Sequence, residues 1–170
     1  SNTLYQDIIS MAAKKNVKVI VDATSNLLLN TLKYNPFLIK PNIHELEEIF
    51  DTKIDCIDST IFYATKLKDM GAENVLISMG KDGALLIDSK GKIYLSNAPY
   101  GDVVNTVGSG DSMVAGFISG YLKTKDYKEA LKLGASCGSA TAFSSGIGEK
   151  KLIDTLKNEI EIKEICKKNM

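Results

Sequence analysis

The chain has 170 residues, enough to bury one apolar core, and its 21 basic residues are matched by 21 acidic ones. That balance, with no long basic run, argues against nucleic acid as a principal partner, and no apolar stretch approaches the roughly 20 residues of a membrane-spanning helix. The opening residues lack the basic-then-apolar order of a secretory leader, and the cysteines, Cys56, Cys137 and Cys166, are odd in number and widely spaced, which points away from a disulfide framework or zinc knuckle and toward the reduced thiols of a cytoplasmic protein.

Leu4 to Lys15 has helical spacing of apolar residues. "VKVIVDAT", Val17 to Thr24, is β-branched and nearly all apolar, which predicts a strand buried on both faces. A short helix is expected over Ser25–Leu32 and a short strand over Phe37–Ile39. "PNIHELEEIF" opens a further helix: Pro41 suits its entry, Asn42 can cap it, and Glu45 stands three residues later as a capping-box partner. Ile61–Met70 predicts a helix closed by Gly71, and Asn74–Gly80 a buried strand ending in glycine. Gly83–Asp88 and Gly91–Ser96 pattern as a hairpin around Ser89 and Lys90. A short strand is expected at Val103–Thr106. A helix is expected over Gly108–Lys123, with Val114, Phe117, Ile118, Tyr121 and Leu122 on one stripe. Tyr127–Phe143 is a small-residue helix suited to close packing, and Lys150–Lys168 carries one or two terminal helices. Strand and helix alternate through the first half, so the fold class is α/β with a mainly parallel sheet. Ligands are then expected at the carboxyl ends of the strands. No linker or repeat divides residues 1–170, which read as one domain.

"NTVGSGDSMVAGF", Asn105 to Phe117, puts Gly108, Ser109 and Gly110 ahead of an apolar helix. The first turn of a helix leaves about four N–H groups without internal partners, and the macrodipole adds partial positive charge. Such a place takes a phosphate-like anion, although glycine spacing alone fits an ordinary tight turn equally well. The string lacks the Gly-Lys-Ser/Thr of a P-loop, and Met113 stands where a dinucleotide fingerprint needs Gly or Ala. Asp111 at the mouth admits two readings. It caps the helix, or it accepts the proton of an attacking hydroxyl while the amides neutralise the group in flight. "HELEE" is not a zinc-protease motif, because Glu48 stands where the second His belongs; His44 is expected on an exposed helix face.

"NTVGSGDSMVAGFI" resembles the second signature of the phosphofructokinase-B family of carbohydrate kinases, in the ribokinase-like superfamily. "KPNIHELEEIF" is similar to the family's Asn-x-x-Glu segment, and "ISMGKDGALL" to its nucleotide-loop segment. The resemblance covers nearly the whole chain and implies a three-layer α/β/α fold with a C-terminal antiparallel hairpin. It also implies ATP-dependent phosphorylation of a sugar phosphate. The wording is most similar to the branch acting on fructose 1-phosphate, with tagatose-6-phosphate kinases the nearest neighbours. A non-catalytic nucleotide-binding module is the alternative of another class.

The same resemblance implies roles by residue. Asp111 would be the catalytic base, and the backbone of Gly108, Ser109 and Gly110 the anion hole. Asn42 and Glu45 would organise Mg²⁺ through water, which suits an ion that dehydrates reluctantly. Lys40 would face a phosphate, with a surface lysine as the plain alternative. Ser78, Gly80, Lys81, Asp82 and Gly83 would line the ATP phosphates. Cys137 lies in a helix that the resemblance takes past the adenine, with core packing as its other reading.

Family members run to roughly twice this length. Their N-terminal half, which supplies most sugar contacts and a β lid, has no counterpart in these residues. The resemblance therefore implies a C-terminal portion with little activity of its own. A sheet edge and apolar face left uncovered would favour self-association.

Overall fold

A computed structural model describes residues 2–15 and 17–165. Two compact units divide the chain. One holds the residues up to Ser78 together with Leu85–Lys92; the other holds Met79–Ala84 and the residues from Ile93 onward.

In the first unit, helix α1 spans Asn2–Lys14 and strand β1 only Ile20–Val21. The long strand expected over Val17–Thr24 is thus mostly irregular, and it is not buried on both faces: Val17 is 57% exposed. β1 ends the order β1-β2-β3-β4 and has β2 as its only strand neighbour among the described residues. An apolar run signals burial only where something covers both faces, and Val17, ahead of the short strand, is left uncovered. Helix α2 (Ser25–Thr31) passes into a 3-10 turn (Leu32–Tyr34), then strand β2 (Leu38–Ile39). Helix α3 (Ile43–Phe50) begins at Asn42 as expected.

Helix α4 (Ile57–Asp69) starts four residues before the expected Ile61. Its cap is Cys56, whose carbonyl accepts from the Ser59 hydroxyl at 2.7 Å. Cysteine is not among the favoured cap residues, so the pattern hides this start. Strand β3 is Val75–Ser78 and strand β4 Ala84–Ile87. β1, β2 and β3 pair in parallel, with Val21 opposite Ile39 and Ile39 opposite Val75. Leu28, Leu38, Leu46, Leu67, Leu76 and Ile77 are fully buried between helices and strands. Each such side chain contributes about 1.5–3 kcal/mol.

In the second unit, strand β5 (Ile93–Ser96) pairs antiparallel with a strand the sequence pattern did not announce, β6 (Ile162–Ile165). The expected helix over Lys150–Lys168 ends as α7 at Glu159. Asn97 turns the chain there. Its Nδ2 donates to the Glu159 carbonyl at 3.1 Å, and its Oδ1 accepts from the Glu161 amide at 2.7 Å. Residues 166–170, with Cys166 and Lys168, lie outside the described residues. Val103–Thr106 is not a strand either. The amides of Val104 and Asn105 both donate to one carbonyl, that of Ala142, so they close a helix end instead of a ladder.

Helix α5 (Ser109–Thr124) packs on helix α6 (Tyr127–Ala142) through small residues. A Cβ on Gly116 would stand 2.7 Å from Cys137 Sγ, and one on Gly134 2.9 Å from the Met113 carbonyl oxygen. This narrow seam, with Phe117 fully buried, is the inner face of α5; Leu122 of the expected stripe is 60% exposed. Periodicity weighs bulky residues, whereas two helices approach closely where residues are small.

Candidate active site

Three parallel strands of the first unit bring their carboxyl ends to one place. β1 is followed by Asp22, β2 by Lys40, and β3 ends at Ser78. Pro41 carries the chain from Lys40 to Asn42. The Ser78 amide donates to the Pro41 carbonyl at 3.2 Å, and Asn42 and Ser78 form a parallel bridge. Asn42 and Glu45 then cap α3 reciprocally. Asn42 Oδ1 accepts from the Glu45 amide at 2.9 Å, and Glu45 Oε2 accepts from the Asn42 amide at 2.8 Å. Lys40 is not a surface lysine: its side chain is 6% exposed, with Nζ 3.2 Å from Asp22 Oδ1. The pattern offered Asp22 only as the end of an apolar run. Its position just past a strand in a parallel sheet was the available signal.

The capping box leaves Glu45 Oε1 without a hydrogen bond among the described residues. That is one free carboxylate oxygen, and no group of three or more His, Cys, Asp or Glu that could hold a metal ion occurs among the described residues. Mg²⁺ keeps several of its waters when bound, so Asn42 and Glu45 fit an ion held through water and do not fit a direct cage. His44, one residue into the helix, projects outward with its side chain 90% exposed.

The nucleotide-loop segment follows Ser78 in the second unit. Gly80–Asp82 make a single 3-10 turn, and Gly80, Lys81 and Asp82 are exposed. The turn is closed by the Met79 amide donating to the Gly83 carbonyl at 2.9 Å. Gly83 has φ 88° and ψ −136° and lies against the Ser96 carbonyl. Only glycine suits both that conformation and that space.

At the start of α5, Gly108 adopts φ 79° in a tight turn. Asn105 Oδ1 accepts from the Val107 amide at 3.0 Å, and the Ser109 hydroxyl donates to the Thr106 carbonyl at 2.8 Å. The Ser109 amide also turns onto Thr106, at 3.2 Å. The amides of Gly110 and Asp111 have no partner among the described residues. The Gly108 amide likewise has none, so of the three backbone donors expected at Gly108, Ser109 and Gly110 only that of Ser109 is engaged among the described residues. Asp111 is exposed, and its carboxylate meets no hydrogen-bond or ion-pair partner among the described residues. Thr141 and Ser112 were not singled out by the sequence. The Thr141 hydroxyl donates to Ser112 Oγ at 2.8 Å and accepts from the Gly148 amide at 3.0 Å, fastening the first turn of α5 to α6. Cys137 is half-buried in the seam, and burial pushes its thiol pKa up, as a packing residue would show.

The model of the pfkB family carbohydrate kinases matches residues 1–154. The chain is 41% identical over 158 residues to the 1-phosphofructokinase of Bacillus subtilis (strain 168), covering 93% of this chain and 52% of that protein. It is 40% identical over 160 residues to the D-tagatose-1-phosphate kinase of Bacillus licheniformis, covering 94% and 52%. The structure of Escherichia coli phosphofructokinase-2 in complex with substrates and products matches with a TM-score of 0.84 and 27% identity, over 92% of this chain and 52% of that one. The fold is ribokinase-like α/β. The chain spans about half the length of the curated relatives it matches. From signature, fold and relatives together, the chain belongs to the pfkB family of carbohydrate kinases.

Proposed function

We propose that this chain carries the phosphoryl-transfer machinery of an ATP-dependent sugar-phosphate kinase whose acceptor is fructose 1-phosphate, giving fructose 1,6-bisphosphate. The observation that supports it most is the start of α5. Among the described residues, an exposed carboxylate without a partner stands next to unengaged amides. Asp111 takes the proton from the sugar 6-hydroxyl. The freed oxygen attacks the γ-phosphorus of ATP, the bond to the β,γ-bridging oxygen breaks, and ADP leaves with that electron pair. The amides of Gly110 and Asp111, with the turn at Gly108, stabilise the charge on the transferring group. Lys40, Ser78 and the Gly80–Gly83 turn hold the remaining phosphates. Asn42 and Glu45 would hold Mg²⁺ through water, and the ion would supply further charge neutralisation. No covalent intermediate is needed; the rate comes from positioning and from preorganised dipoles.

The D-tagatose-1-phosphate kinase of Bacillus licheniformis, nearly as similar as the fructose relative, favours a second reading in which a tagatose phosphate is the acceptor. A coupled assay with ATP and each sugar phosphate in turn separates the two. Because the chain spans about half the length of these relatives, the 170 residues alone are expected to give little or no turnover. Robust turnover by the isolated chain would overturn that expectation and leave the reaction assignment standing. Calorimetric titration with Mg·ATP tests the other class: heat without any turnover in every form of the protein marks a nucleotide-binding module. Self-association is also proposed, since Ile8 and Met11, three residues apart on α1, are 57% and 62% exposed. Light scattering across concentrations checks it, and a constant monomer mass counts against it.

A further inference from the structure

We propose that Asp22 is a positioning residue: its carboxylate holds the Lys40 ammonium at the open end of β1 and β2 and hands it to an incoming phosphate oxygen. The inference rests on the reading of Lys40 as a phosphate ligand. Lys40 Nζ lies 3.2 Å from Asp22 Oδ1; the lysine side chain is 6% exposed and the aspartate 32%. Lysine is buried this far almost only when its charge is paired. The aspartate is the more accessible partner, so an anion arriving from solvent meets the pair on the aspartate side. Lys40 has to swing from one acceptor to the other.

The pair is not needed to join the strands. The Lys40 amide already donates to the Val21 carbonyl at 3.2 Å, the Phe37 amide to Val19 at 2.8 Å, and the Ile39 amide to Asn74 at 3.1 Å. A buried ion pair is also a weak stabilising device, because apolar residues of similar volume often serve as well. What the pair does supply is direction. The backbone beside Lys40 is pinned by Pro41, which has a fixed φ and whose carbonyl accepts from Ser78. Only the lysine stem is free to move. A four-carbon stem without a partner samples many rotamers, and Asp22 limits it to those that end beside its own carboxylate, just past β1.

The test is Asp22→Asn in the 170-residue chain, titrated calorimetrically with ATP and, separately, with adenosine. The expected result is ATP binding weakened about tenfold, the loss of one charge-assisted contact, with adenosine binding unchanged. Tighter ATP binding would mean that Asp22 only repels anions, and equal weakening of both ligands would mean a purely structural role; either overturns the proposal, as does no change. Asp22→Glu, which keeps the carboxylate, is expected to recover most of the loss, and a glutamate variant as weak as the asparagine one also overturns it. If the asparagine variant does not fold, Asp22→Ser is read by the same outcomes. A wild-type chain that binds neither ligand defeats the nucleotide reading itself. Asp22 is then judged by reductive trapping of Lys40 with pyridoxal 5′-phosphate. Release of the lysine in Asp22→Asn should speed labelling at that residue severalfold, and an unchanged rate overturns the inference.

Discussion

The strand ends of the first unit and the helix start of the second treat their polar groups in opposite ways. At the strand ends, Asn42 and Glu45 satisfy each other, Lys40 is paired with Asp22, and the Ser78 amide is bonded to Pro41. At the start of α5, the Gly110 and Asp111 amides and the Asp111 carboxylate have no partner among the described residues. A group bonded in a helix cap or a strand bridge, as Asn42, Glu45 and Ser78 are, holds the chain in shape, and its removal damages fold and function together. A group without a partner contributes little to the fold and is available to a ligand. The contrast therefore predicts where stability and turnover separate.

The largest effect should come from Asp111→Asn. Turnover in the active protein should fall about 10²–10⁴-fold, as for loss of a general base. Its unfolding free energy should change by no more than about 1 kcal/mol, the scale of a carboxylate at a helix N-terminus. Steady-state kinetics beside urea denaturation checks both halves, and a large stability loss would break the contrast. Gly134→Val tests the opposite corner. It drives a branched side chain against the Met113 carbonyl and Phe117 and should destabilise by about 1–3 kcal/mol or more, seen as a shifted urea midpoint. Asn42→Ala lies between these. It removes the α3 cap at a cost of about 1 kcal/mol and also leaves Glu45 unplaced, so nucleotide binding and stability should fall together.

A smaller effect concerns pH. The Ile54 amide, at 2.9 Å, is the main reason that the Glu47 carboxyl sits below its usual range; partial desolvation opposes it and Lys53 adds to it. A carboxyl lowered on folding stabilises the fold above its unfolded pKa, and that stability is lost as pH falls through the folded pKa. Denaturation midpoints for Glu47→Gln should therefore show a shallower loss of stability than wild type below the ordinary carboxylate range. The smallest effect is chemical. Exposed Cys56 should react with a thiol reagent faster than Cys137, whose burial disfavours the thiolate. Equal rates would mean that the α5–α6 seam is looser than its glycines imply.

Much of the candidate site was legible because it depends on local chemistry. The capping box at Asn42 and Glu45 is a three-residue spacing, and the structure forms it as read. Gly108 and Gly83 mark positive φ, which few other residues adopt. Asp22 was not legible. Its meaning comes from Lys40, which is 18 residues away along the chain and adjacent only once β1 and β2 pair. Strand β6 was hidden for a similar reason: "IEIKEI" reads as the tail of a helix until Asn97 turns the chain at Glu159 and β5 offers it a ladder.

The sequence alone determined the family signature, the alternation of strand and helix, and the residues able to accept a proton or cradle an anion. These rest on side-chain type, glycine conformation and short spacings. Tertiary structure decided which of those groups are engaged and which are open. It buried Lys40 against Asp22, turned the Ser109 amide onto the Thr106 carbonyl and left those of Gly110 and Asp111 without a partner among the described residues. It also chose glycine over leucine for the inner face of α5. Those outcomes depend on what lies opposite each residue in space, and no local pattern carries that information.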